Sequence, residues 1–266
     1  MTQSQPQSQA SDILALDGLT LSYGSLTAVD HVDLVIRRGA RHALIGPNGA
    51  GKSSLFAVVA GRIPATAGRV VFDGEDVSSL NEAARARVGL VRTFQHSSLF
   101  LKMSVLDNAR LAVERADGRP KRPWPSPRAD RAITGSAMSH LESVGLADRR
   151  NAQCGALSHG ERRQLEVGLV LACQPRLVLF DEPTAGMSAA ETLRFSELVE
   201  SLPAEITTVV VEHDLDVVFR LADRISVLAA GRLIADGTPE QVRADEAVRE
   251  AYLGKPRSST PLFGAS

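Results

Sequence analysis

The chain has 266 residues, of which 44% are hydrophobic and 23% charged, and its formal net charge at pH 7 is −1. This length and apolar content suit one large domain, or one domain with an inserted lobe. The near-neutral charge provides no bulk attraction to nucleic acid or to an anionic membrane. The two cysteines, Cys154 and Cys173, form no C-x-x-C motif and are expected to be small buried residues in a reducing compartment.

The sequence contains no run that approaches the roughly 18–20 apolar residues of a membrane span. Residues 1–11 are rich in Gln and Ser and lack the basic and apolar regions of a signal peptide. We therefore expect a disordered tail there. Residues 255–266 have a similar character, and we expect a second flexible tail.

The first part of the chain predicts antiparallel strands. Apolar and polar residues alternate from Ile13 to Tyr23 and again from Ala28 to Ile36. A further strand is predicted over Gly68 to Phe72, and Asp73-Gly74 is a hairpin turn sequence. The ring of Tyr23 could stack on a nucleobase, although a tyrosine on an edge strand without a ligand fits equally well.

A phosphate-binding loop is predicted at Gly46-Pro47-Asn48-Gly49-Ala50-Gly51-Lys52-Ser53, which fits G-x-x-x-x-G-K-[ST]. A strand-like run, Arg41 to Ile45, precedes it, and a helix-like run, Ser53 to Ala60, follows it. Glycines allow backbone N–H groups to point at phosphate oxygens, and the helix adds its positive end. We expect Lys52 to contact the β- and γ-phosphates of ATP and the Ser53 hydroxyl to bind Mg²⁺. The predicted ATP-binding residues of this loop are Gly46, Pro47, Asn48, Gly49, Ala50, Gly51, Lys52, Ser53 and Ser54.

Helical segments follow a predicted strand at Val88 to Phe94 that ends at Gln95. Helices are predicted over Val105 to Glu114 and Ile133 to Val144. The proline-rich, basic loop 117–128 divides them, and its prolines are expected to exclude a helix. This loop either contacts a partner or is a solvated surface loop.

A helix that begins near Ser158 and runs to about Ala172 carries another candidate anion site. Ser158 and Glu161 have the spacing of a capping box. That purely structural role does not explain Gly160, because glycine in a helix costs about 0.5–1 kcal/mol relative to alanine. A close approach to the backbone explains it, and phosphate is the ligand that a helix N-terminus of this kind receives.

Acidic and basic side chains follow two predicted buried strands. Asp181 and Glu182 end the strand from Arg176, and His213 follows the strand from Thr207 to Glu212. Such features are often only turns, but after a phosphate loop they favour a function. Asp181 is expected to hold Mg²⁺ through water, and Glu182 to orient and deprotonate the attacking water. His213 is expected to donate a hydrogen bond to the γ-phosphate. The ends of these strands and of the strand at Ile45 are expected to meet in one crevice.

The pattern predicts an α/β protein with a P-loop NTPase core on a parallel sheet, an antiparallel β subdomain and an inserted helical lobe. The core comprises residues 12–95 and 156–254, and the lobe comprises about 96–155. The end of the core is predicted as a hairpin over Arg224 to Leu228 and Arg232 to Ala235. A short helix then starts at Thr238-Pro239.

The order of these motifs resembles the ATP-binding subunit of an ABC transporter, over roughly Ile13 to Gly254. The resemblance implies an ABC-type ATPase in which Tyr23 stacks on adenine and Gly46 to Ser53 form the Walker A motif. It makes Gln95 the Q-loop residue, with a catalytic role and a contact to Mg²⁺. It makes Asp181 and Glu182 the Walker B pair and His213 the switch histidine. Ser158 and Gly160, in the signature motif, would contact the ATP of a partner subunit.

Finer features resemble the branched-chain amino acid importer class. They are Arg92-Thr93-Phe94-Gln95, Leu157-Ser158-His159-Gly160-Glu161, Ala185-Gly186-Met187, Val211-Glu212-His213-Asp214 and Glu250-Ala251-Tyr252-Leu253-Gly254. Importers of urea and short amides share much of this pattern, and the lipopolysaccharide-export ATPase is also similar.

The sequence departs from the wider family in two places. His159 and Glu161 replace the third and fifth residues of Leu-Ser-Gly-Gly-Gln, and Ser188 stands where an aspartate is usual. We expect altered communication between paired ATP sites rather than loss of hydrolysis.

The resemblance implies that two ATP-binding subunits, identical or not, pair head to tail around ATP and Mg²⁺. It also implies permease subunits in the membrane, an extracytoplasmic substrate-binding protein acting indirectly, and a peripheral location on the cytoplasmic face of the inner membrane. The competing hypotheses are a soluble ABC ATPase acting on ribosomes or DNA and a regulatory subunit that does not hydrolyse ATP. The near-neutral charge speaks against a nucleic-acid partner, and the presence of Glu182 and His213 speaks against the regulatory subunit.

Overall fold

The computed structural model describes residues 12–93, 99–116 and 127–253. Its strands, in chain order, are β1 (Asp12–Tyr23), β2 (Leu26–Arg37), β3 (Arg41–Ile45), β4 (Ala67–Phe72), β5 (Glu75–Asp76), β6 (Leu90–Arg92), β7 (Leu177–Asp181), β8 (Thr207–Val211), β9 (Arg224–Ala229) and β10 (Arg232–Gly237). Its α-helices are α1 (Lys52–Val59), α2 (Glu82–Arg87), α3 (Val105–Ala116), α4 (Pro127–Ser143), α5 (His159–Ala172), α6 (Ala189–Glu200), α7 (Leu215–Leu221), α8 (Pro239–Ala244) and α9 (Glu246–Leu253).

The core sheet has the strand order β10-β9-β3-β8-β7-β6, and its strands from β9 to β6 run parallel. Every residue of β7 and β8 is buried, as expected for apolar strands covered on both faces. β3, β8 and β7 are neighbours, so their carboxyl ends share one edge of the sheet. The predicted convergence of these strand ends is therefore confirmed.

The second sheet is antiparallel, in the order β2-β1-β4-β5. Leu16 of β1 pairs with Leu34 on one side and with Val70 on the other. These leucine and valine side chains share a buried cluster with Phe56 of α1, so the sheet covers one side of that helix. The other end of α1 is fixed by the buried Arg85 of α2, whose Nη1 donates to the carbonyl oxygens of Val58 and Val59 at 2.7 and 2.6 Å.

The helices α3, α4 and α5 pack together around buried side chains, which are Val105, Ala109, Ala137, Leu141 and Leu165. The expectation that the prolines of the loop 117–128 exclude a helix is wrong at its end, because α4 begins at Pro127. Proline is tolerated in the first turn of a helix, where its missing N–H would have no partner in any case. The rest of that loop lies outside the described residues.

Several other boundaries differ from the predictions. Strand β6 is shorter than the predicted Val88 to Phe94, because Val88 and Gly89 form a turn and Phe94 lies outside the described residues. No helix was predicted where α2, α6, α7 and α9 form. The closing hairpin and α8 are confirmed, with Thr238 and Gln241 forming a capping box around Pro239. Within the described part of the chain, none of the helices has both the length and the apolar character required to cross a membrane.

Candidate nucleotide-binding site

The loop Gly46–Ser53 connects β3 to α1, in the strand–loop–helix context that the motif requires. Gly51 caps α1 in the left-handed region, with φ of 100°, and its lack of a side chain leaves the first N–H groups of the helix without a side-chain cap. Asn48 and Gly49 are exposed, whereas Gly46 and Ala50 are buried. The end of α1 can therefore receive an anion.

Close packing requires glycine at both ends of this loop. A Cβ atom on Gly46 would lie 2.1 Å from the carbonyl oxygen of Leu228, and one on Gly51 would lie 2.2 Å from that of Ala28. The Gly231 N–H donates to the Ala50 carbonyl at 2.9 Å, which fixes the loop against the β9–β10 turn. Neighbouring strands therefore hold the loop in position.

Lys52 is buried and bonded to the loop itself. Its Nζ donates to the carbonyl oxygens of Gly46 at 2.6 Å and Pro47 at 3.1 Å. Burial lowers the pKa of Lys52, and the negative charge of Glu182 opposes that shift. The Glu182 carboxylate therefore favours the charged form of the ammonium group.

Asp181 ends β7 in an ion pair with Arg92 of β6, in which Arg92 Nη2 donates to Asp181 Oδ2. The two side chains are 3% and 6% exposed, respectively. The Arg92 Nε is buried and, among the described residues, has no partner. Arg92 was not predicted as a partner of Asp181, because the two residues lie 89 positions apart in the sequence.

Glu182 follows directly, with its backbone in the left-handed region at φ 44°. This conformation is uncommon for a residue with a side chain and recurs at functional sites. Its N–H donates to the Val211 carbonyl at 2.9 Å. β8 thus fixes the turn that carries Glu182.

His213 is exposed, and the buried Glu212 precedes it. Glu212 Oε1 accepts from the Thr184 N–H at 3.0 Å and the Thr184 hydroxyl at 2.7 Å, and its Oε2 accepts from the His213 N–H at 3.2 Å. One fully buried carboxylate therefore holds the turn after Glu182 and the backbone of His213 together. Glu212 was predicted as the end of a strand and as part of a resemblance, without a role in the site. A carboxylate at the end of an apolar run is the signal that could have indicated this role.

Tyr23 is 48% exposed at the end of the β1–β2 hairpin, where it pairs with Leu26. The backbone of Ala28, in the same hairpin, abuts Gly51, so the hairpin that carries Tyr23 lies beside the phosphate loop. Ser53 is exposed and Ser54 half-buried in the first turn of α1. Gln95 lies outside the described residues.

A tyrosine near the end of the described chain also reaches the phosphate loop. Tyr252 of α9 packs on a buried cluster that includes Ile45 and Val227. Burial raises the pKa of Tyr252 to about 12, against the opposing effect of a hydrogen bond with the Gly46 backbone. No role at the site was predicted for Tyr252, which carried only part of a resemblance.

The capping box of Ser158 and Glu161 is confirmed at the start of α5. The close approach that Gly160 was expected to allow is made by Glu191 of α6. Glu191 Oε1 accepts from the Gly160 N–H at 3.0 Å and from the Ser158 hydroxyl at 3.3 Å. Ser188 caps α6 and bonds to the same carboxylate through Oε2.

A phosphate loop on a parallel sheet, with a buried aspartate and a glutamate at the end of another strand of that sheet, defines a P-loop nucleotide-binding protein. A family model described as ABC transporter matches residues 29–185. A second model, described as branched-chain amino acid ATP-binding cassette transporter, matches residues 232–257.

Curated proteins match over most of the chain. BraF of Pseudomonas aeruginosa, a high-affinity branched-chain amino acid transport ATP-binding protein, is 37% identical over 91% of this chain and 98% of its own length. LivG of Escherichia coli K12, which has the same description, is 36% identical over the same shares. LptB of Escherichia coli K12, the lipopolysaccharide export system ATP-binding protein, is 32% identical over 91% of this chain and 97% of its own.

The fold is likewise that of solved cassettes. The crystal structure of an ATP-binding cassette of an ABC transporter in its ADP conformation aligns with a TM-score of 0.81 and 31% identity, over 92% of this chain and 99% of that one. A nucleotide-free cassette aligns with a TM-score of 0.78 and 29% identity, over 92% and 100%. The chain belongs to the ABC transporter family, as an ATP-binding cassette subunit. It is a nucleotide-binding ATPase of that class.

Proposed function

We propose that this chain powers the import of branched-chain amino acids by hydrolysing ATP at the cytoplasmic face of the inner membrane. The observation that carries the proposal is the match of residues 232–257 to the branched-chain amino acid cassette model. Identities of 36–37% to BraF and LivG support it. A lipopolysaccharide-export role is the second candidate, favoured by the 32% identity to LptB.

The nucleotide is proposed to bind as Mg·ATP. The N–H groups of the loop and Lys52 hold the phosphates, and Tyr23 stacks on the adenine. Magnesium neutralises phosphate charge when it is bound. The oxygen ligands Ser53 and Asp181 fit it, with Gln95 as a further ligand, because Mg²⁺ usually takes few protein ligands besides phosphates and water.

Hydrolysis is assigned to the residues that follow β7 and β8, at the same edge of the sheet as the loop. Glu182 accepts a proton from the attacking water, and its position is fixed by the bond from its N–H to Val211. His213 contacts the γ-phosphate, with its backbone held by Glu212. Gln95 would orient the attacking water and would serve as a further ligand of Mg²⁺.

The subunit is proposed to work in a pair. Ser158 and Gly160 lie at the N-terminus of a different helix, α5, and are assigned to the γ-phosphate of the ATP that the partner's loop holds. The partner is a second copy or a related ATP-binding subunit. Because the γ-phosphate contacts both subunits, its loss favours separation.

The permease is proposed to contact a groove between α2, β6 and the helices α3 and α5. This groove has a volume of about 640 Å³ and is lined by apolar side chains such as Leu90, Leu99 and Leu169. Arg92 lines it too and pairs with Asp181, so a permease segment in the groove lies one side chain from the site.

We place the nucleotide-binding core at residues 12–95 and 156–254 and the helical lobe at about 96–155.

Uptake measurements test the transport role. The complex that co-purifies with this chain is reconstituted in vesicles with ATP inside, and its binding protein is loaded with leucine, isoleucine or valine. We expect uptake of these amino acids coupled to ATP hydrolysis, and loss of both in Glu182→Gln. Stimulation by lipopolysaccharide instead would support the second candidate.

A further inference from the structure

Glu191 places a negative charge on the groups of α5 that are assigned to a phosphate. Its Oε1 accepts from the Gly160 N–H at 3.0 Å and from the Ser158 hydroxyl at 3.3 Å. Its Oε2 accepts from the N–H and the hydroxyl of Ser188 at 3.0 and 2.9 Å. Each oxygen of this carboxylate therefore has donors on a different element.

A second bond joins the same two segments. His159 lies between Ser158 and Gly160, and its Nε2 donates to the Ala185 carbonyl at 3.1 Å. The start of α5 is thus tied to the segment 185–191 both by an imidazole and by the carboxylate of Glu191. His159 is one of the residues in which this chain departs from Leu-Ser-Gly-Gly-Gln.

The hydrogen bonds leave the carboxylate ionised throughout the physiological pH range. The Ser188 N–H and hydroxyl, followed by the Gly160 N–H, lower the pKa of Glu191 to about 2. A carboxylate and a phosphate cannot both accept from one N–H without close contact between like charges. The glutamate and an incoming γ-phosphate therefore exclude each other at Gly160.

We propose that Glu191 is an internal ligand of the signature motif, and that the γ-phosphate held by the partner subunit must displace it before two subunits can pair. This inference rests on the proposed pairing. The carboxylate stabilises the separated state, so it raises the ATP concentration at which pairs form. After hydrolysis and phosphate release, it returns to Gly160 and Ser158 and favours separation.

Glu191→Gln is the informative variant, because the amide oxygen can still accept from Ser188 and cap α6 while the charge is lost. Glu197→Gln removes the same charge from an exposed position of the same helix and is the matched control. Both are made in a Glu182→Gln background, in which ATP is bound but not turned over. Pairing is followed by sedimentation across an ATP titration in Mg²⁺.

We expect Glu191→Gln to lower the ATP concentration for half-maximal pairing about tenfold, as for loss of a hydrogen bond to a charged group. Glu197→Gln should leave it unchanged. ATP affinity below the pairing threshold should be the same in all three proteins. If the Glu182→Gln parent pairs and Glu191→Gln leaves the ATP concentration for half-maximal pairing unchanged, this inference alone is overturned. If the parent never pairs, the proposed pairing is overturned as well.

The single subunit provides an independent measurement. In ¹⁵N-labelled protein without nucleotide, the Gly160 amide resonance should move upfield in Glu191→Gln and stay in place in Glu197→Gln. A Gly160 resonance that does not move in Glu191→Gln would mean that the Glu191 carboxylate does not accept a hydrogen bond from the Gly160 N–H. Should Glu191→Gln fail to fold, Glu191→Asp serves in both measurements, since its shorter side chain cannot reach Gly160 while bonded to Ser188.

Discussion

The guanidinium of Arg92 is paired with the carboxylate of Asp181, and both side chains are more than nine-tenths buried. The cation on β6 thus lies beside the group to which we assign Mg²⁺. A permease segment in the groove would contact one end of this pair, and the metal would contact the other.

Arg92→Met should destabilise the nucleotide-free protein. It leaves Asp181 buried without its partner, at a cost of about 3–5 kcal/mol. Urea unfolding measures this loss of stability. Addition of Mg·ADP should raise the free energy of unfolding more in the variant than in the parent. Arg69→Met removes one member of an exposed pair with Asp17 and should change little. Equal losses of unfolding free energy in the two variants would show that the buried pair contributes no more to stability than the exposed pair.

Glu182→Gln should keep ATP binding and reduce kcat by about 10²-fold or more, the range of general base catalysis. The amide keeps the shape of the side chain but cannot accept the proton from water. Phosphate release from the purified complex measures kcat, and Glu205→Gln, at an exposed position, is the control. An unchanged rate would remove Glu182 from the role of base.

Lys52→Ala should weaken nucleotide binding itself, by about 10- to 100-fold, the equivalent of a hydrogen bond between charged groups. Titration with a fluorescent ATP analogue measures the Kd, and the exposed Lys102→Ala is the control. The circular dichroism spectrum must be unchanged, since Lys52 also bonds to Gly46 and Pro47. A normal Kd in folded protein would contradict the phosphate role.

Glu212→Ala should lower kcat while the Kd for ATP stays constant, because the backbone groups of Thr184 and His213 lose a shared acceptor. Glu212→Gln restores an oxygen for Thr184 but turns an N–H donor toward that of His213, so its kcat should be intermediate. Parallel changes in kcat and Kd would instead indicate general damage to the fold.

Stability should fall between pH 6.5 and pH 4 because of His42. Burial lowers the pKa of His42 to about 4, from an ordinary value of about 6.5. In this window the unfolded chain binds a proton that the folded chain does not, so acid favours unfolding by up to about 3 kcal/mol. Urea unfolding of His42→Gln should show less loss from pH 7 to pH 5 than the parent. The same loss in both would place the effect elsewhere.

Local patterns were sufficient to predict most of the fold. The apolar runs of β7 and β8, the loop after Ile45 and the caps at Ser158 and Thr238 each depend on neighbours in sequence, and the structure has them as expected. The start of α4 was not predicted, because proline disfavours the interior of a helix but is tolerated in its first turn. α2 was missed because its six residues are too short for a clear period.

The partners within the site were not predictable in the same way. Arg92 with Asp181 and Gly160 with Glu191 are contacts between distant parts of the chain, and no local pattern encodes them. The glycine in the first turn of α5 did indicate a close approach to the backbone. It could not tell a phosphate from a carboxylate, because the two offer similar oxygens to an N–H.

The fit of Gly46 against Leu228 bears on how loss-of-function alleles of this protein should be interpreted. A methyl group at position 46 would lie 2.1 Å from the carbonyl oxygen of Leu228 in β9. This is a steric clash, so even Gly46→Ala would disturb the sheet. A strain that carries that allele and cannot transport would report misassembly of the protein rather than the need for ATP. Geneticists who want an intact but inert subunit should alter the carboxylate at position 182 instead.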